Sequence, residues 1–75
     1  MLCKPEFEIG ECVVVPLKDD SSIRYIGRIL NGIFLVKDDG TSDGWHYRVL
    51  LDEENKYIES YEEHEITKYA IIKNA

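Results

Sequence analysis

Ile23-Arg24-Tyr25-Ile26-Gly27-Arg28-Ile29-Leu30-Asn31-Gly32-Ile33-Phe34-Leu35-Val36-Lys37 is the stretch that decides the fold class. It is rich in β-branched and aromatic residues and is interrupted by Asn-Gly. That dipeptide favours a two-residue type I′ turn, because both central residues need positive φ and the resulting twist matches the flanking strands. A hairpin is therefore predicted, with Ile23 to Leu30 paired to Ile33 to Lys37. In this register Leu30 faces Ile33, Ile29 faces Phe34, Gly27 faces Val36 and Tyr25 faces Asp38. One face then carries Ile23, Tyr25, Ile29, Phe34 and Val36, the core set. The other carries Arg24, Ile26, Arg28, Leu30, Ile33, Leu35 and Lys37.

A second hairpin is predicted downstream, with Trp45 to Leu51 and Lys56 to Tyr61 joined by a four-residue loop, Asp52 to Asn55. Leu51 then faces Lys56, Val49 faces Ile58 and Tyr47 faces Ser60. Trp45, Tyr47, Val49, Leu51 and Ile58 point inward. His46, Arg48, Leu50, Tyr57, Glu59 and Tyr61 point outward, with Arg48 beside Glu59 and His46 beside Tyr61. The connection between the hairpins, Asp38 to Gly44, holds two Asp-Gly turn signals.

Upstream, Cys12-Val13-Val14-Val15 reads as a short strand stopped by Pro16, which has no N–H to give to a ladder. Leu17 to Ser22 is a polar loop. Tyr61 to Glu65 suits one helical or 3₁₀ turn before a last strand over Ile66 to Lys73. Seventy-five residues make one small domain, 1–75, which on general scaling buries only about 60% of the surface its unfolded chain exposes. The fold class is all-β: five to six short antiparallel strands, curled into a small barrel so that neither edges nor one face stay open.

The residues Ile9-Gly10-Glu11-Cys12-Val13-Val14-Val15, Tyr25-Ile26-Gly27-Arg28-Ile29, Tyr47-Arg48-Val49-Leu50-Leu51 and Glu62-Glu63-His64-Glu65-Ile66 together resemble the SH3-like small barrels, a group that includes Tudor-type and KOW-type domains. The resemblance spans nearly the whole chain. It implies a barrel and a habit of binding. Tudor-type domains hold methyl-lysine in aromatic cages, for which Trp45, Tyr47, Tyr25 and Phe34 are candidates by type, but the registers above place all four in the core.

Charge narrows the function classes. Asp52 to Glu65 holds seven acids (Asp52, Glu53, Glu54, Glu59, Glu62, Glu63 and Glu65) against Lys56, which equals the whole formal charge of −6. Such an acidic ridge repels backbone phosphates and favours a basic partner. The leading expectation is a non-enzymatic protein-binding module, a regulator or inhibitor that engages a basic surface. Its expected contact residues are His46, Arg48, Glu53, Glu54, Tyr57, Glu59, Tyr61, Glu62 and Glu63, with Tyr57 and Tyr61 as aromatic anchors. The alternative is a nucleic-acid-binding barrel working through Arg24, Arg28 and Lys37. A structural subunit, self-associating through Leu30, Ile33 and Leu35, is a further expectation.

No catalytic signature, phosphate loop or cofactor motif emerges, and no cofactor is expected. Cys3, Cys12, His46 and His64 lack the spacing of a zinc knuckle. Two cysteines do not make a disulfide scaffold, and Cys12 in its apolar run is expected to behave as a small hydrophobe. Met1 to Glu6 lacks the apolar stretch of a signal peptide, and no run reaches membrane-spanning length, so a cytoplasmic protein is expected.

Overall fold

A computed structural model of the chain describes residues 4–69. Its strands are β1 (Cys12–Pro16), β2 (Arg24–Val36), β3 (Ser42–Asp52), β4 (Tyr57–Glu62) and β5 (Thr67–Lys68), with a 3₁₀ turn, η1, at Glu63–Glu65. They form one antiparallel sheet in the order β4-β3-β2-β1-β5. The all-β class, the strand count and the turn near residues 61 to 65 are as the sequence led us to expect. Barrel closure is not: β4 and β5 remain the two edges, so the sheet is not closed among the described residues. The final strand is seen only at Thr67–Lys68, paired to Val14 and Val13, and the rest of the stretch expected to form it, from residue 70 on, lies outside the described residues. No helix of the described residues is long and apolar enough to cross a membrane.

The predicted first hairpin is overturned. β2 runs unbroken through Asn31-Gly32 and pairs with β3 from Arg28 to Val36, and the chain reverses instead at Lys37 to Thr41. There Lys37 N–H donates to the Thr41 carbonyl at 2.7 Å and Gly40 N–H to the Lys37 carbonyl at 2.9 Å. Gly40 takes φ +88°, the left-handed position of a three-residue hairpin loop. Asp39 fixes that loop by accepting from Thr41 N–H at 2.9 Å and Thr41 Oγ1 at 2.7 Å. Of the two signals for a hairpin, the Asp39-Gly40 turn won.

Gly32 has another use. A Cβ there would lie 3.0 Å from the Tyr47 ring, so its bareness lets that ring pack on the β2 backbone. Asn31 follows a bulge: Ile29 pairs Val49 but Asn31 pairs Arg48, leaving Leu30 as the extra residue. The bulge shifts the alternation by one, which keeps Ile29 and Phe34 on the same face just as the rejected turn would have. Ile23, Tyr25 and Val36, expected in the core, are exposed, because the ends of β2 run past the packed centre.

That centre is Phe7, Val13, Val15, Ile29, Tyr47, Val49, Tyr61 and Ile66, with Trp45 and Leu51 half-buried against it. Val13 and Val15 alternate inward from β1, while Cys12, expected to behave as a small hydrophobe, is an exposed free cysteine. Phe7 packs edge-on to Tyr47 with ring centroids 5.4 Å apart, and Trp45 stacks on Tyr47 at 6.3 Å.

Candidate functional site, a tyrosine and carboxylate cavity

The β3–β4 connection is where the site is made. Asp52 ends β3 and pairs with Tyr57, so the loop is Glu53 to Lys56, one residue later than expected. Asp52 Oδ1 accepts from the N–H groups of Glu54 at 3.0 Å and Asn55 at 3.2 Å, and its Oδ2 accepts from Asn55 Nδ2 at 2.7 Å. These bonds hold its carboxyl below the usual range, the side-chain bond from Asn55 contributing most. Lys56 takes φ +54° to close the loop.

With a bulge between Leu50 and Asp52, Val49 pairs Glu59 and Tyr47 pairs Tyr61. Every β4 side chain is thereby turned over relative to the predicted register. Tyr57, Glu59 and Tyr61 share the face of Tyr47 and Val49 rather than that of His46 and Arg48, and Ile58 is only half-buried. Tyr61, expected as an exposed anchor, is 1% exposed and belongs to the core. Its hydroxyl donates to the Pro16 carbonyl at 2.7 Å, and Lys18 Nζ sits 4.3 Å from its ring centroid. Burial raises the Tyr61 hydroxyl pKa, with Glu59 and Glu65 adding to the effect.

Tyr57 remains accessible at 39%. It borders a cavity of about 320 Å³ lined by Leu17, Asp19, Tyr25, Leu51, Asp52 and Tyr57. The loop between β1 and β2 supplies Leu17 and Asp19, β2 supplies Tyr25, β3 supplies Leu51 and Asp52, and β4 supplies Tyr57. The Tyr57 hydroxyl donates to Glu59 Oε1 at 2.8 Å. That bond, reinforced by the negative charge of Glu59 and Asp19, pushes the hydroxyl up to about 12. The cavity thus has apolar residues, two tyrosines and a negative potential, a combination suited to a cationic side chain with an aliphatic stem.

The other expected contact residues are dispersed. Glu53 and Glu54 lie exposed in the β3–β4 loop, Glu53 being 3.3 Å from Arg28 Nη2. Glu62 caps η1 in a reciprocal arrangement with Glu65, whose Oε1 accepts from Glu62 N–H at 2.8 Å. Glu63 accepts from the Tyr47 hydroxyl at 2.5 Å and from Glu6 N–H at 3.0 Å, tying residues 6 and 7 to the sheet. Burial first, then the Glu63 bond, raise the Tyr47 hydroxyl to about 12. His46 and Arg48 lie on the face opposite Tyr47 and Val49, paired across the ladder with Glu62 and Ser60. The acidic ridge of the sequence is therefore not one surface, and several of its carboxylates already have intramolecular partners.

Of the alternative basic group, Arg28 is paired with Glu53, and Lys37 Nζ lies 3.8 Å from Asp43 Oδ1. Arg24 and Arg28 lie toward one end of β2 and Lys37 just beyond the other, so they do not form one patch. Ile33 and Leu35 are exposed and Leu30 half-buried. Sequence reading missed Asp19, Leu17 and the cavity role of Tyr25, since nothing local links the β1–β2 loop to the β3–β4 turn. No family model, curated protein or solved structure matches the chain.

Proposed function

We propose that this protein is a non-enzymatic protein-binding module that receives a basic side chain of a partner in the cavity between Tyr25 and Tyr57. The observation that carries the reading is the convergence, around a cavity of about 320 Å³, of two accessible tyrosines with Asp19 and Asp52. Leu17 and Leu51 suit the methylene stem of a lysine or arginine, the tyrosine faces suit its charge, and the carboxylates speed encounter. The formal charge of −6 favours a basic partner surface in the same way. The all-β antiparallel architecture in so short a chain supports an affiliation with the small SH3-like folds, with the sheet left open rather than closed, and a module of this kind serves as a regulator or inhibitor by occupying a basic site on its target.

The test is capture of partners from native extract by the wild type and by Tyr57→Ala and Asp19→Lys variants, each checked for folding by circular dichroism, with nuclease treatment in parallel. A discrete protein retained by the wild type after nuclease treatment and lost from both folded variants supports the reading. Retention by both variants, or recovery of nucleic acid alone, sinks it. Nucleic acid alone would move attention to Arg24, Arg28 and Lys37.

A further inference from the structure

The opposite end of β3 and β4, on the face away from Tyr47 and Val49, carries a cluster that the cavity does not use. Asp43, at the start of β3, lies with its Oδ2 3.1 Å from His46 Nε2. His46 is paired across the ladder with Glu62 at the end of β4, and one donor atom from each of Asp43, His46 and Glu62 lies within 4.8 Å of the others. A second imidazole stands beside this set: His64, on η1, has its Nε2 3.6 Å from Glu62 Oε2. Two carboxylates and one imidazole thus gather from the start of β3 and the end of β4, with a second imidazole from the 3₁₀ turn beside Glu62.

We propose that Asp43, His46 and Glu62, with His64 as a fourth donor, bind a divalent transition-metal ion of the zinc type. Bonds of about 2.0–2.2 Å to nitrogen and oxygen hold tetrahedral donors about 3.3–3.6 Å apart. The Asp43–His46 and Glu62–His64 separations of 3.1 and 3.6 Å already lie near that spacing. The His64 side chain, 76% exposed, has the most room to close the remaining distance, while the Glu62 carboxylate would have to leave the cap of η1 in part. Nitrogen donors set the cluster apart from an ordinary acidic surface. Imidazole selects zinc, nickel or copper, whereas calcium and magnesium ask for six or more oxygens. Lys37 Nζ, 3.8 Å from Asp43 Oδ1, is the cation at the rim that an ion would displace. No knuckle spacing announces such a site in the sequence, because its two halves, Asp-x-x-His and Glu-x-His, meet only through β3–β4 pairing.

The experiment is calorimetric titration of the untagged, full-length protein with zinc chloride, with calcium chloride as the comparison, followed by His46→Gln and Asp43→Asn. The expected result is saturable 1:1 zinc binding, little response to calcium, and affinity at least about tenfold weaker in each variant. In parallel, zinc should shift the ring-nitrogen resonances of both His46 and His64 in the wild type, which keeps the test informative if a variant misfolds. No saturable zinc binding, calcium binding as tight as zinc, unaltered affinity in folded His46→Gln, or unmoved imidazole resonances would each overturn the proposal.

Discussion

Tyr47 and Tyr61 stand directly opposite each other across the β3–β4 ladder, and each is 1% exposed. They join the core through different polar handles, Tyr47 to Glu63 and Tyr61 to the Pro16 carbonyl. This pairing fixes which β4 residues share the face of Tyr47, and so places Tyr57, two and four residues from Glu59 and Tyr61, at the cavity.

Tyr61→Ala should destabilise the protein by about 3–5 kcal/mol, the usual cost of deleting a buried aromatic ring. Tyr61→Phe should cost only about 1 kcal/mol, for the bond to Pro16. Urea denaturation distinguishes them. Equal, small losses would show that Tyr61 is the exposed residue the sequence suggested.

Tyr47 makes stability sensitive to alkali. Its hydroxyl is raised from 10.0 to about 12 in the folded state, so the neutral form is favoured by folding. The resulting stabilisation is complete below pH 10 and is lost as pH rises through about 12, amounting to about 2–3 kcal/mol at most. Denaturation midpoints between pH 9 and about 12 should fall less steeply in Tyr47→Phe than in the wild type. Parallel curves would contradict the assignment.

Gly27→Ala should be costly although it adds one methyl group. The new Cβ would lie 2.5 Å from Val49 Cγ1 and 3.0 Å from the Leu50 carbonyl oxygen, the latter being backbone that cannot swing away. A loss of about 1–3 kcal/mol in thermal or urea unfolding is expected. A neutral substitution would mean that β2 and β3 are less closely packed at this point.

Arg28→Glu should leave both stability and partner capture nearly unchanged. The Arg28–Glu53 pair is exposed, and such pairs are worth about 0–1 kcal/mol. Loss of capture in this variant, with the fold intact, would favour the basic-group alternative over the tyrosine cavity.

The sequence was legible where one local signal had no rival. The Asp52 turn, the β1 strand ending at Pro16, the 3₁₀ turn and the overall antiparallel class follow from short-range chemistry. Asn31-Gly32 misled because two turn signals lay eight residues apart, and a long pairing of β2 with β3 outweighed the intrinsic preference of Asn-Gly. The exposure of Tyr57 was legible from its alternation. The burial of Tyr61 was not, since a one-residue displacement of the loop moved it from the surface into the core.

Alternation, composition and turn chemistry alone determined that this chain forms a short-stranded antiparallel sheet with an acidic C-terminal half, because those depend on neighbours in sequence. Tertiary structure decided which face each β4 residue occupies, that Asp19 and Tyr25 meet Asp52 and Tyr57, and that Asp43, His46 and Glu62 converge. Those outcomes depend on strand register, and register is set by bulges at Leu30 and Leu51 that answer to core packing across the sheet rather than to any local signal.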